Sequence, residues 1–209
     1  MDIQFYGANC IAVTTKQARI VVDDNLSELG AKPVAKPGDI VLYTGDNPHT
    51  AVEPKIAIAM PGEYEVTGIA IYGIAARAHM DEEKQRSTTM YKLIIDDAKI
   101  LITGHAYPEL TDNQLESIGM VDIMLVPVGG NGYTLDSVGA LKLIKKIEPK
   151  VVIPTHYDDA KLTFPVPQQT LEQAIKGLAM EPKETVTKLK VKAGELAQDV
   201  TQLVILEKS

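Results

Sequence analysis

The sequence predicts a two-sheet α/β (α+β) fold with helices packed outside the sheets, and three observations carry that expectation. The first half is a series of short apolar runs separated by Gly-, Asp- and Pro-containing turns, the pattern of strands. The second half alternates strands with helices, and its centre, residues 121–157, reads as strand, crossover helix, strand. Such a crossover makes the two strands parallel neighbours and places the loops after them on one rim. Finally, 209 residues without a repeat or low-complexity tract suit one domain spanning 1–209. A chain of that size buries about 70% of its unfolded surface.

Strands are expected at 2–6, 10–14 and 18–22, a meander turning at Gly7 and at Lys16-Gln17. Residues 26–38, with two prolines and two glycines, read as a connecting loop. A strand at 39–43 runs into the polar turn 44–50, and another at 55–60 is followed by a turn at 61–66. A long strand over 68–76 ends in Arg77-Ala78-His79, ahead of the charged loop 80–87. Residues 89–95 and 99–103 pair as a hairpin about Asp96-Asp97. Thr111-x-x-Gln114 is a capping box, with Leu110 and Leu115 as its hydrophobic staple, so a helix starts at about Asp112. The strand 123–128 closes on Gly129-Gly130. Thr134 is the expected N-cap of the next helix, where Leu135, Val138, Leu141 and Ile144 recur at helical spacing and Pro149 ends the run. The strand 151–153 leads to Thr155-His156-Tyr157. A helix at 171–178, with Pro167 compatible with its start, and strands at 186–191 and 200–206 complete the chain.

Composition excludes several function classes. The net charge of −7 argues against a nucleic-acid face, because counterion release needs clustered Lys and Arg. The lysines within 142–146 and 183–192 read as solvated faces. Aromatic residues are 5% and Trp is absent, so the core must be aliphatic. A single cysteine, Cys10, allows no internal disulfide and fits a reducing compartment; its apolar run makes it a buried small hydrophobe. The start of the chain lacks a signal-peptide pattern, and no apolar run approaches the ~20 residues of a membrane span. The expectation is a soluble cytoplasmic protein without nucleic-acid or membrane partners. A small-molecule ligand and a homo-oligomer are both compatible with it.

The chain has four histidines, His49, His79, His105 and His156, and each falls in a loop just beyond an apolar strand. A lone histidine of this kind is ordinarily a surface or capping residue. Four at strand ends converge if their loops share a rim, which is how histidine metal sites are assembled from distant sequence.

Several segments carry a resemblance. They are Tyr6-Gly7 followed by Cys10, then Pro61-Gly62-Glu63-Tyr64-Glu65-Val66-x-Gly68, then Val126-Pro127-Val128-Gly129-Gly130 with Tyr133-Thr134-x-Asp136. Glu148-Pro149-Lys150 and Ile153-Pro154-x-His156-Tyr157 complete the set. Together they resemble the metallo-β-lactamase superfamily, in the branch of Zn-dependent hydrolases related to sugar-phosphate lactonases. The resemblance implies an αββα sandwich of two mixed β-sheets with helices on the outer faces and a site on one edge.

It also implies a two-metal hydrolytic centre, and there the sequence departs. The family opens with G-H-x-C, whereas Gly7-Ala8-Asn9-Cys10 has no histidine. The family signature T-H-x-H-x-D-H corresponds to Thr44-Gly45-Asp46-Asn47-Pro48-His49-Thr50. Gly45 and Asn47 thus replace both first-metal histidines, and His49 replaces the aspartate of the second metal. The family's bridging aspartate is His105, His79 matches a family histidine with a one-residue offset, and His156 stands unchanged. Two ions ~3.5–4 Å apart need a ligand that offers an oxygen to each. A neutral imidazole has one lone pair and cannot bridge them. A two-metal centre is not expected.

Two readings remain. In one, the chain is a catalytically impaired or non-catalytic member that keeps the sandwich for ligand binding or assembly. In the other, His49, His105 and His156 hold one zinc, or another divalent transition metal, with an open fourth position. That site would hydrolyse an ester, lactone or phosphoester. Asp46 would then be an imidazole acceptor, Thr50 a nearby hydroxyl, and His79 a further candidate ligand. Gly129-Gly130 reads as a tight strand-to-helix turn, and Glu63 and Glu65 as solvent-facing carboxylates rather than an acid–base pair.

Overall fold

The computed structural model describes residues 1–45, 52–196 and 200–209. Its strands are β1 (Asp2–Gly7), β2 (Cys10–Thr14), β3 (Arg19–Val22), β4 (Ile40–Leu42), β5 (Ile56–Ile58), β6 (Gly62–Val66) and β7 (Ile69–Ala76). They continue with β8 (Thr88–Ile95), β9 (Ala98–Ile102), helix α1 (Asp112–Ile118), β10 (Ile123–Pro127), helix α2 (Ser137–Ile147) and β11 (Val151–Thr155). Helix α3 (Leu171–Leu178), β12 (Pro182–Val186), β13 (Leu189–Lys190) and β14 (Gln202–Leu206) end the chain.

Two mixed sheets result. A six-stranded sheet has the order β13-β1-β2-β3-β4-β5, and an eight-stranded sheet has β12-β14-β11-β10-β9-β8-β7-β6. The β1–β2–β3 meander is antiparallel and β3–β4–β5 parallel, while β9, β10, β11 and β14 run parallel beyond an antiparallel β6–β9 meander. The side-chain period of two explains the layering. Ile3, Phe5 and Ile11 of the first sheet meet Ile71, Leu93 and Ile153 of the second in a dry aliphatic core. The opposite face of the eight-stranded sheet, with Met90, Met124 and Val152, is covered by Ile118 of α1, Leu143 of α2 and Leu178 of α3. The outer face of the six-stranded sheet is covered instead by a single 3-10 turn, Leu26–Leu29, and by Leu162. Strands buried on both faces read as continuous apolar runs, which is why β10 and β11 are apolar throughout.

Several elements differ from the sequence reading. Residues 61–66 are not a turn: Gly62–Val66 is a strand paired antiparallel with β7. The turn lies just after it, where Thr67 (φ 52°) and Gly68 (φ 74°) form a two-residue hairpin with both residues left-handed. The expected strand at 186–191 is split, with β12 in the eight-stranded sheet and β13 in the other. Helix α2 starts two residues later than expected. Asp136, not Thr134, caps it, accepting from the Gly139 amide at 2.7 Å. Val138 is 57% exposed, and the buried stripe is Gly139, Ala140, Leu143 and Ile144. Small residues on that stripe let α2 sit close to its neighbours; a Cβ on Gly177 of α3 would stand 2.0 Å from Ser137 Oγ. Thr111 and Gln114 do form the expected capping box on α1, and Thr170 with Gln173 forms a second on α3. Among the described residues no helix is long and apolar enough to cross a membrane.

Candidate functional site

The rim lies where β3, β4, β9, β10 and β11 release their following loops. Gly104, two residues past the end of β9, has φ +53° and delivers His105. His156 follows β11 with φ +56°, its amide donating to the Ala8 carbonyl at 2.7 Å. The two imidazoles meet edge to face, ring centroids 4.9 Å apart, with Tyr133 edge-on to His105 at 5.2 Å and Phe164 beside His156 at 5.1 Å. The loops of distant strands thus bring His105 and His156 together with the glycine pair 129–130, as the parallel crossover implies.

Hydrogen bonds fix what each ring can offer. Thr155 Oγ1 donates to Asn9 Oδ1 at 2.9 Å, which turns the Asn9 amide so that Nδ2 donates to His105 Nε2 at 3.1 Å. The Nε2 lone pair of His105 is thus taken by Asn9, which leaves the proton of the neutral ring on Nδ1. In His156 the arrangement is different. Gln168 Nε2 donates to the Val166 carbonyl, leaving Gln168 Oε1 to accept from His156 Nδ1 at 3.1 Å. Among the described residues its Nε2 has no hydrogen-bond partner. Burial pushes the His105 imidazole down to about 3, with His156 adding to the shift, and pushes His156 down to about 4. Both rings are neutral at physiological pH.

Gly129 does more than turn the chain. An alanine Cβ there would stand 1.9 Å from Gln168 Oε1 and 2.2 Å from the His156 carbonyl oxygen. The amide could swing away, but the backbone cannot. Gly129→Ala is expected to cost about 2 kcal/mol by overpacking, measured by urea denaturation, and to displace the His156 ring.

A pocket of about 250 Å³ opens in front of these rings. Opposite the histidines it is lined by Asp23, Asn25, Glu28 and Thr44. Asp23 is 8% exposed and accepts from Thr44 twice, the amide to Oδ1 and the hydroxyl to Oδ2, each at 2.7 Å. Burial nevertheless raises its carboxyl to about 6. Cys10, close by in β2, is fully buried, and burial pushes its thiol well above the ordinary range, so it packs as an apolar residue.

The other candidates separate. His79 is tied to His105 only through backbone, its amide donating to the His105 carbonyl at 2.8 Å, and its ring stacks at 5.8 Å on Tyr107 instead. Burial lowers its pKa. Its Nδ1 is buried without a hydrogen-bond partner. His49, Asp46 and Thr50 lie outside the described residues. Glu63 and Glu65 face solvent on β6, as expected. Sequence reasoning missed Asn9, Asp23 and Gln168. Asp23 carried a signal, a carboxylate directly after an apolar strand, but Gln168 carried none.

The described residues do not fit a two-metal centre. Among them no three His, Cys, Asp or Glu side chains come together as metal ligands. The one lone pair of His105 that faces the rim is held by Asn9.

The two-sheet sandwich with its site on the strand-end rim defines the class. Residues 2–156 match the sequence family described as the β-lactamase superfamily domain, and the chain belongs to that superfamily, with the metallo-β-lactamase fold. Over 70 residues it is 37% identical to a UPF0173 metal-dependent hydrolase of Enterococcus faecalis, covering 32% of this chain and 29% of that protein. The chain's match thus spans under a third of that relative's length. A UPF0173 protein of Pyrococcus abyssi is 24% identical over 181 residues, 75% of this chain and 83% of its own. Among solved structures, a protein of Thermotoga maritima assigned to the Zn-dependent hydrolases of the metallo-β-lactamase superfamily superposes with a TM-score of 0.76. It is 23% identical, and the superposition covers 99% of this chain and 98% of that one. Igni18, a metallo hydrolase of Ignicoccus hospitalis, superposes with a TM-score of 0.62 at 16% identity, covering 99% and 95% of the two chains. At these identities the structures speak for the fold alone.

Proposed function

We propose that this chain keeps the sandwich and rim of its superfamily without a two-metal hydrolytic centre, and that the rim pocket is a non-catalytic binding site for a small polar molecule. The Asn9–His105 hydrogen bond carries this reading. A metal at His105 would need the lone pair that Asn9 occupies. Asn9 is 6% exposed and anchored by Thr155, so freeing the ring means breaking a buried hydrogen-bonded chain. Gly45 and Asn47 supply no ligand where the family resemblance implies histidines. A neutral imidazole at 105 cannot do the work of a bridging carboxylate. The relatives are named metal-dependent hydrolases, and their name reaches this chain only through the residues it retains, His156 foremost.

A second reading draws on one observation, the open Nε2 of His156 beside His105. In it, His49, His105 and His156 take one divalent ion after Asn9 swings away. Zinc stoichiometry decides between them. The purified chain, incubated with excess Zn²⁺ and desalted, is expected to retain well under one equivalent and to melt at an unchanged temperature. One tightly held zinc that is lost in His156→Ala, together with hydrolysis of a p-nitrophenyl ester or phosphoester lost in the same variant, would overturn the non-catalytic reading.

A further inference from the structure

The pocket's free groups have one chemical character. Asp23 is a buried carboxylate whose two hydrogen bonds both come from Thr44, with no cationic partner among the described residues. Buried carboxylates are ordinarily paired, because desolvating a lone charge is costly. Glu28 adds a second carboxylate on the same wall, and Asn25 Oδ1 is a buried acceptor without a hydrogen-bond partner. Across the pocket His156, 4% exposed, leaves Nε2 as an open acceptor. Among the described residues no Lys or Arg lines the pocket. The rings of Tyr43 and Tyr133 complete the lining, and aromatic faces attract cations.

We propose that the pocket binds a small organic cation with N–H donors, of the primary alkylammonium class, its ammonium seated against Asp23 and Glu28 with Asn25 Oδ1 and His156 Nε2 as further acceptors. This rests on the pocket being a binding site rather than a hydrolytic centre. It assigns a charge opposite to that of phosphoester or carboxylate ligands. An anion here would meet two carboxylates and, among the described residues, no Lys or Arg. At about 250 Å³ the cavity is smaller than the roughly 300–1,000 Å³ of drug-sized sites, so the ligand is a short amine and not a polycation.

The test is a titration of the full chain with n-butylammonium chloride at neutral pH and constant ionic strength, followed by amide chemical shifts and calorimetry. n-Butanol and inorganic phosphate serve as the neutral and anionic comparisons. Butylammonium is expected to bind saturably, shifting resonances of Asn25 and His156, with n-butanol about tenfold weaker or worse, as loss of a charge-assisted bond implies. Asp23→Asn should weaken binding about tenfold. Because Asp23 also organises Thr44, Glu28→Gln provides a variant on an exposed residue that folds, with a weakening of about threefold. Butylammonium that does not saturate, or that binds no better than n-butanol, overturns the cation assignment, as does saturable phosphate binding. If butylammonium fails and zinc also fails to bind, the cation assignment alone falls. If zinc binds through His156 and displaces butylammonium, the binding-pocket reading falls with it.

Discussion

Acidification from pH 7 to pH 4 is expected to destabilise the fold by about 2 kcal/mol net, with the loss concentrated below pH 6.5. The sign follows from counting protons. An unfolded histidine takes up its proton near 6.5, whereas folded His156 does so only near 4 and His105 near 3. Through that window the unfolded state binds more protons, so acid favours it; the stability is fully present above 6.5 and lost as pH falls toward the folded values. His156 alone contributes about 3 kcal/mol, at 1.36 kcal/mol per unit. His105 adds less than its larger shift suggests, because its ring edge stays partly open to the pocket and to water.

Asp23 works in the opposite direction. Its folded carboxyl titrates at about 6 against an ordinary 3.8, so between those values the folded state holds the extra proton and acid favours it. That returns up to about 3 kcal/mol and blunts the loss without reversing it. His79, also lowered by burial, reinforces the trend. Urea denaturation across the pH range measures the curve. His156→Gln should flatten it by about one proton's slope near pH 5, roughly 1.4 kcal/mol per unit. A His156→Gln variant whose slope near pH 5 matches that of the wild type would show that the imidazole is not held neutral.

Replacing Gly104 with alanine is the substitution expected to cost most at the rim, about 3 kcal/mol. Two independent penalties combine there. The backbone sits at φ +53°, which an L side chain adopts only under strain of about 1 kcal/mol. The added Cβ would also stand 2.4 Å from Thr44 Oγ1 and 2.5 Å from Thr44 Cβ. Thr44 cannot yield freely, because its hydroxyl and amide are both held by Asp23 and its carbonyl accepts from Thr88 and Thr89. Gly68→Ala separates the two terms. Gly68 shares the left-handed backbone, at φ +74°, but its Cβ would meet nothing within 4 Å, so only the strain of about 1 kcal/mol should appear. Equal losses in the two variants, by urea or thermal denaturation, would remove the Thr44 clash from the account.

How much of this was legible beforehand depended on the range of the interaction. The capping box at Thr111 was readable because its partners lie three residues apart. The parallel pairing of β10 and β11 was readable because a crossover helix leaves no other neighbour. The sequence alone does not place the N-cap of α2, because Thr134 and Asp136 are both capping residue types; in the fold it is Asp136 that accepts from the Gly139 amide. The strand at 62–66 was taken for a turn because Pro61-Gly62 is the stronger local signal, while pairing with β7 settled the matter. His105 and His156 were found through their place at strand ends. What each nitrogen could offer was not, because it depends on Asn9 and Gln168, and neither residue belongs to a motif.

The sequence by itself determined two aliphatic sheets and the rim on which their loops gather. Those follow from residue periodicity and residue chemistry, which are local properties of the chain. Only the tertiary structure decided that Asn9 occupies the lone pair of His105, that Gln168 orients His156, and that Asp23 faces a pocket without a cation. Hydrogen-bond direction and burial are set by neighbours brought from up to 146 positions away, as between Thr155 and Asn9. No spacing along the chain encodes them.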